Sequence, residues 1–250
     1  MSNHLSLRSG NPVLKANTFI QRQTTIDTGT MTISGTVNKT ALGLLLLMTT
    51  AIFTWNMAPT DPRISALMMV GIFGGLIAAI ITAFKRHLAP YTTPIYALLE
   101  GLALGGISRF FETLYPGIVN QAVFLTFGTL AALLFAYRSG LIKPTENFKL
   151  GIVAATGGIF FVYIISFILG LFGVQVPLIH SNSNFGILFS FGVVVIAALN
   201  LVLDFDFIEE GAEIGAPKYM EWFGAFGLLV TLVWLYLEIL HLLAKLQSRR

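Results

Sequence analysis

Seven long apolar stretches, separated by short polar links, follow a polar beginning of the chain. Each stretch is close to the roughly 20 residues with which an α-helix crosses a bilayer. They cover residues 40–57, 64–84, 91–111, 118–137, 150–172, 185–207 and 222–246. Because the period-two alternation of membrane β-strands is absent, the pattern predicts seven transmembrane helices.

The links between these spans are short and contain helix breakers, as in "APTDPR" and "LIKPTENFK". The spans are therefore expected to form one helical bundle, a transmembrane domain over residues 40–250. Residues 1–39 are polar, rich in Thr, Ser and Gly, and lack the apolar core of a signal peptide. We expect them to form a flexible N-terminal tail.

Composition agrees with helices that face lipid. The chain is 55% hydrophobic and 11% charged, with a mean hydropathy of +0.79, whereas soluble domains carry about 25% charged residues. The chain is therefore predicted to be an integral membrane protein whose main partner is the bilayer. The absence of cysteine excludes disulfide and thiolate sites. A net charge of only +3, scattered along the chain, gives no indication of a nucleic-acid partner.

The positions of Lys and Arg predict an orientation, because cytoplasmic links carry an excess of positive charge. Of the 15 such residues, ten lie on the side of the N-terminus and five on the opposite side. This distribution favours a cytoplasmic N-terminus, and seven spans then place the C-terminus outside. A misplaced span would reverse the position of the C-terminus.

Four acidic residues lie within or beside the apolar spans: Glu100, Asp204, Asp206 and Glu238. A charged side chain at the bilayer centre costs about 3 kcal/mol, so such residues usually face a cavity or a partner and are functional candidates. Glu100 lies nine residues past Tyr91, which places it about 13 Å into a core about 30 Å thick. Since Asp204 and Asp206 are two residues apart on a helix, they are expected to face different surroundings.

The last span carries a polar stripe. Trp234, Glu238, His241 and Lys245 recur at spacings of four, three and four, so they share one helical face. This face is expected to point into the bundle. The alternative is local pairing of Glu238 with His241 while Lys245 extends to the membrane surface. The small-residue clusters "GIFGG", "GLALGG" and "GAFG" predict close contacts between helices.

Three segments in this order, "PIYALLEGLALGGIS", "LNLVLDFDFI" and "LVWLYLEILHLLAKL", resemble the Bax inhibitor-1 family and its bacterial branch. The resemblance covers all seven spans and leaves out the tail. It implies an all-α membrane fold in which six helices wrap around the seventh. It also implies a pH-sensitive calcium leak channel in the bacterial inner membrane, without a cofactor, in which calcium is the permeant ion.

The resemblance also implies site residues. Asp204 takes the place of the family's acid at the end of helix six, and Glu238 that of its acid in helix seven. Such a pair shares protons in the closed state, and both residues are candidate calcium ligands. Lys85 or Arg86 takes the place of the basic residue at the end of helix two, which pairs with the acid when the channel opens.

This chain departs from the family pattern in three ways. The link between Asp204 and Glu238 is long, so the two acids meet only if helix seven starts late, with a break at Gly224 or Gly227. Asp206 could replace Asp204 as the sensor. Glu100 is an additional acid that the family pattern does not require.

Other functions are open on the same residues. Paired acids also serve as proton relays, which would suit a proton-coupled transporter, and a regulatory protein could act by binding membrane-protein partners. Hydrolysis would require Ser108 or Ser190 beside a base such as His241, but no nucleophile spacing or H-E-x-x-H motif marks such a site. A non-enzyme is expected. A shared-proton gate predicts a leak that rises from about pH 6 to pH 8.

Overall fold

The computed structural model describes residues 29–58, 60–173 and 183–249. This part of the chain contains seven α-helices, in agreement with the prediction. They are α1 (Ile33–Trp55), α2 (Arg63–Phe84), α3 (Ala89–Leu114), α4 (Ile118–Arg138), α5 (Glu146–Leu171), α6 (Asn184–Glu213) and α7 (Met220–Gln247). A 3-10 turn, Arg86–Leu88, joins α2 to α3.

Each predicted span corresponds to one helix. Among the described residues, six helices are long and apolar enough to cross a membrane, which supports an integral membrane fold. The helix outside this set is α3, which carries Glu100 and several buried small residues. The lower hydropathy of α3 reflects its many small residues. The helix packs against both α1 and α2, and the residues that it buries there are mainly glycine and alanine rather than large side chains.

The first helix begins earlier than predicted. The Thr32 side chain accepts a hydrogen bond from Gly35 N and caps α1, so residues 33–39 of the predicted tail are helical. Before the cap, the N–H of the buried Met31 donates to Ala216 O at 2.7 Å. Residues 1–28 of the predicted tail lie outside the described part of the chain.

The helices define two ends of the bundle. The N-terminal ends of α1, α5 and α7 meet the C-terminal ends of α2, α4 and α6, and we call this the basic end because Lys39, Arg86, Lys149 and Lys218 lie there. The opposite end contains the C-terminus of α7, where Arg249 hydrogen-bonds with Asn184 at the start of α6. This contact places the C-terminal end of α7 beside the N-terminal end of α6, so the two helices run antiparallel.

The last helix lies inside the bundle. Half of its most apolar window is buried, a larger share than in any other membrane-spanning helix of the described chain. It packs against α1, α3, α4 and α6. The other two helices are more peripheral, since α2 packs mainly on α3 and α5 mainly on α6. Helix α7 is thus enclosed mainly by four helices, whereas the resemblance implies six around it.

Glycines bring α3 into close contact with its neighbours, as the small-residue clusters predict. A Cβ at Gly101 would overlap the Leu47 backbone of α1, and one at Gly71 of α2 would lie 2.6 Å from Leu99 O of α3. In α7 the fit is looser, because a Cβ at Gly227 would lie 3.4 Å from Asp204 Oδ1. The tightest backbone contacts therefore join α1, α2 and α3.

Candidate functional site

A cavity of about 460 Å³ opens at the basic end between α5, α6 and α7. Its polar lining consists of Lys149 from α5 and of Asn200, Asp204, Asp206 and Glu210 from α6. On α6 its lining extends from Glu210, near the end of the helix, to Asn200, ten residues or about 15 Å deeper. Such a polar cavity can admit water and cations beside α7.

Asp204 is the innermost acid of this cavity. Its Oδ2 atom is buried and has no hydrogen-bond partner among the described residues. The carboxylate lies against Gly227 of α7, and the Thr231 side chain is close enough to hydrogen-bond with it. No described Lys or Arg forms an ion pair with Asp204, so its ionised form would be left without a compensating cation.

Asp206 points to a different neighbour, as the two-residue spacing predicts. Its Oδ2 atom lies 2.6 Å from Lys149 Nζ of α5 in a half-buried ion pair. The charge of Asp206 is thereby compensated, whereas that of Asp204 is not. Of the two candidates for the acid of helix six, Asp204 is the one placed against α7.

Of the two candidate basic partners, Arg86 contacts a residue that lines the cavity. Its guanidinium carbon is 5.2 Å from the ring centroid of Phe223, and Phe223 lines the cavity together with Asp204. Lys85 is the exposed residue that ends α2. Arg86 is thus separated from the cavity by one aromatic ring.

Glu238 belongs to a second cavity, of about 710 Å³, towards the opposite end of the bundle. The side chain is only 6% exposed, and its Oε1 atom accepts hydrogen bonds from Tyr163 Oη at 2.8 Å and from Trp234 Nε1 at 3.1 Å. His241 and Lys245 line the same cavity. Three members of the polar stripe are therefore buried or half-buried, whereas His241 is exposed, and Glu238 bonds to Tyr163 and Trp234.

The structure does not bring Asp204 and Glu238 together. Helix α7 begins at Met220 and continues without a break through Gly224 and Gly227, so the late start that would align the two acids does not occur. Asp204 faces Thr231, which precedes Glu238 by seven residues, or about 10 Å along the helix. The shared site implied by the resemblance is therefore replaced by two separate acids.

The same separation affects the candidate calcium ligands. Across the residues that the structure describes, no group of three or more His, Cys, Asp or Glu side chains could hold a metal ion. Asp204 and Glu238 therefore do not contribute to one common calcium site in this structure. Each offers its oxygen atoms to its own cavity.

Comparison of the sequence with protein families agrees with this architecture. A family model described as "Bax inhibitor 1 like" matches residues 11–248. The chain belongs to the Bax inhibitor 1 like family. No curated protein and no solved structure gives a significant match. Family membership and the six apolar helices together establish this Bax inhibitor 1 like chain as an integral membrane protein.

Glu100 of this Bax inhibitor 1 like chain lies apart from both cavities. A Cβ at Gly75 of α2 would be 2.8 Å from Glu100 Oε2, so the carboxylate is packed in the α2–α3 contact near Tyr96. No hydrogen bond or ion pair from the described residues reaches it. It does not line the cavity that contains Asp204 or the one that contains Glu238.

Two serines considered for hydrolysis have other partners. Ser108 pairs with Tyr236 Oη at 2.6 Å across the α3–α7 contact. The hydroxyl of Ser190 accepts a hydrogen bond from Lys245 Nζ at 2.8 Å. His241 stacks edge-on against Phe111, with ring centroids 5.3 Å apart. These contacts hold α7 against α3 and α6.

A buried acid that the sequence did not single out lies at the basic end. Glu221, in the first turn of α7, is fully buried and accepts hydrogen bonds from Thr32 N at 3.0 Å and Thr32 Oγ1 at 2.8 Å. Lys218 Nζ, at 2.8 Å, and Lys39 Nζ also bind it. Only the Lys218–Glu221 spacing of three residues is a local signal, and the contacts with α1 are visible only in the folded bundle.

Proposed function

We propose that this protein is a pH-sensitive cation leak channel, with calcium as the expected permeant ion. We place it in a bacterial inner membrane with its N-terminus cytoplasmic. Membership in the Bax inhibitor 1 like family supports a membrane protein of this kind. The observation that carries the proposal is a pair of cavities that approach α7 from opposite ends, one containing Asp204 and the other Glu238.

The two cavities leave only a short closed section between them. Asp204 and Glu238 are separated by about 10 Å along α7, whereas the hydrocarbon core is about 30 Å thick. Calcium prefers several oxygen ligands, which carboxylates supply. Because the two acids are apart, each offers a weak site, and conduction requires binding that is weak enough for release.

The proposed pH response centres on Asp204. Among the charged groups around it, Asp206 is already paired with Lys149, and Arg86 is held over Phe223. An ionised, buried carboxylate without a cation is costly. Ionisation of Asp204 therefore favours a conformation in which Arg86 or an entering cation reaches it, and the leak should increase from about pH 6 to about pH 8.

The test is calcium flux into dye-loaded liposomes that contain the purified protein, measured across a pH series. The wild-type leak should rise with pH, and Asp204→Asn should flatten this dependence while the protein remains folded. Asp61→Asn is the matched control, because hydrogen bonds from the Arg63 side chain and backbone lower the pKa of Asp61 to about 2. Its charge is therefore constant over the tested range.

Either of two results would contradict the proposal: a wild-type leak that does not change with pH, or an Asp204→Asn variant that keeps the wild-type profile. If the wild-type leak depends on pH and Asp204→Asn keeps this dependence, the pH sensor would be Asp206 or Glu100 instead. In that case Asp206→Asn and Glu100→Gln would be measured in the same assay.

The alternative function is a proton-coupled transporter. Two cavities on opposite sides of a closed section also match alternating access, in which a midplane site opens to each side in turn. Flux kinetics separate the two functions. A leak proceeds without a second substrate, whereas a transporter shows saturable countertransport that depends on substrate on the far side.

A further inference from the structure

Three polar side chains of α5 recur every seven residues: Lys149, Thr156 and Tyr163. Residues seven apart share one face of a helix at intervals of about 10 Å. Each contacts a polar group of α6 or α7, and we call these contacts the polar seam. They are Lys149 Nζ with Asp206 Oδ2 at 2.6 Å, Thr156 Oγ1 with Asn200 Nδ2 at 2.8 Å, and Tyr163 Oη with Glu238 Oε1 at 2.8 Å.

Apart from the seam, α5 is thinly packed against the bundle. Of its 26 residues, only Ile152 is buried. A Cβ added at Gly151, Gly157 or Gly158 would meet no atom within 4 Å, in contrast to the tight glycine contacts of α3. Interhelical hydrogen bonds within membranes are individually weak. The helix is therefore held by a few polar contacts and can separate from α6 and α7 without breaking an interdigitated core.

The polar seam also connects the two cavities. Lys149, Asn200 and Asp206 line the cavity at the basic end, and Tyr163 and Glu238 line the cavity towards the opposite end. Thr156 lines neither of these cavities, and its contact with Asn200 marks the limit of the cavity at the basic end. From Thr156 to Tyr163 the closed section measures about 10 Å along α5, which agrees with the separation of Asp204 and Glu238 along α7.

A competing route along α1, α3, α4 and α7 has different chemistry. The cavity there has a volume of about 220 Å³, and its lining contains no charged side chain. A cation that loses water needs oxygen ligands at each step. The polar seam provides them as carboxylate, amide and hydroxyl oxygens, whereas the apolar cavity provides few.

We propose that the cation route follows the polar seam, that the Thr156–Asn200 contact is its constriction, and that α5 separates from α6 and α7 to open it. This inference rests on the proposed leak function. It adds the path of the ion, two residues that the sequence pattern did not indicate, and the helix that moves.

The absence of cysteine in the chain allows a direct test. In liposomes, the double variant Thr156→Cys with Asn200→Cys is treated with a short bifunctional methanethiosulfonate, and cross-linking is verified by mass spectrometry. We expect the calcium leak to be largely lost and to return after reduction. The control pair is Thr82→Cys with Thr92→Cys, whose hydroxyl groups are 2.7 Å apart between α2 and α3. Locking this pair should leave the leak unchanged.

A single-cysteine experiment covers the case in which the double variant does not fold. Modification of Thr156→Cys by a charged methanethiosulfonate should block the leak. The same treatment of Phe161→Cys, on the exposed face of α5, should leave it unchanged.

The outcomes separate the two proposals. A leak that persists after the 156–200 cross-link, or after complete modification of Thr156→Cys, overturns the seam route and leaves the leak function intact. A wild-type protein without any leak overturns both.

Discussion

Replacing Glu221 by Gln should weaken the basic end of the bundle, because this buried carboxylate joins α7 to α1. It accepts hydrogen bonds from Thr32 N, Thr32 Oγ1, Lys218 Nζ and Lys39 Nζ. Gln keeps the size of the side chain and one carbonyl oxygen, which can still bind the two donors of Thr32. That oxygen also remains the acceptor for Lys218 Nζ, whereas the NH₂ group takes the place of Oε2 and would face the Lys39 ammonium, donor against donor.

The magnitude follows from what each lysine loses. Lys218 is 46% exposed and loses only the charge of its acceptor, so its contribution is small, whereas Lys39 is only 20% exposed and loses its acceptor oxygen. Loss of the Lys39 bond to a charged acceptor costs about 2 kcal/mol, and an unsatisfied buried amide donor adds about 1 kcal/mol. A total of about 3 kcal/mol corresponds to a decrease of about 6–12 °C in Tm for a chain of this size.

The assay is thermal unfolding in detergent, followed by the loss of the monodisperse peak in size-exclusion chromatography. Glu213→Gln is the matched control, since Glu213 is exposed at the end of α6, and it should change stability by less than about 0.5 kcal/mol. A decrease of less than about 2 °C for Glu221→Gln would show that this reasoning overestimates the buried ion pairs. Calcium leak measured on the same variant would show whether the α1–α7 contact also affects gating.

Further predictions concern the contacts of α3. Gly105→Ala should destabilise the protein by about 1–3 kcal/mol, because the new Cβ would overlap the Ala51 carbonyl oxygen of α1. Gly128→Ala, where a Cβ meets no atom within 4 Å, should instead be neutral or stabilising by up to about 1 kcal/mol; thermal unfolding compares the two, and equal effects would refute the packing argument. Ser108→Ala should cost about 1 kcal/mol by removing the partner of Tyr236, with an unchanged pH profile of the leak.

The sequence predicted the helices well because an apolar stretch of sufficient length has few alternatives in lipid. It failed at the ends that lie beyond the apolar core. Helix α1 starts at Ile33 because Thr32 is both its cap and a ligand of Glu221, a contact 189 residues distant in sequence. Helix α6 continues to Glu213, past the predicted end at residue 207, because polar residues outside the membrane can prolong a helix.

The candidate acids were predictable, but their partners were not. Hydropathy identifies a carboxylate within an apolar span without fixing the register between two spans. The added turns of α6 and the early start of α7 place Asp204 opposite Thr231, so Glu238 bonds to Tyr163 instead. Asn200 carried no signal in the pattern, since single polar residues within apolar helices are common. Only the heptad spacing of Lys149, Thr156 and Tyr163 would have indicated a shared face.

The surroundings of Asp204 and of four other acids support the proposal that Asp204 controls the leak. Asp206 and Glu221 bind lysines, and Glu238 accepts two hydrogen bonds. Asp206 and Glu221 thus have compensating cations, and Glu238 has two hydrogen-bond donors. Glu100 lacks such partners among the described residues but lies away from both cavities. Asp204 combines an unsatisfied oxygen with a position in a polar cavity. We therefore expect the ionisation of Asp204 to be the least compensated among these acids, and an entering cation could bind the charge from the cavity.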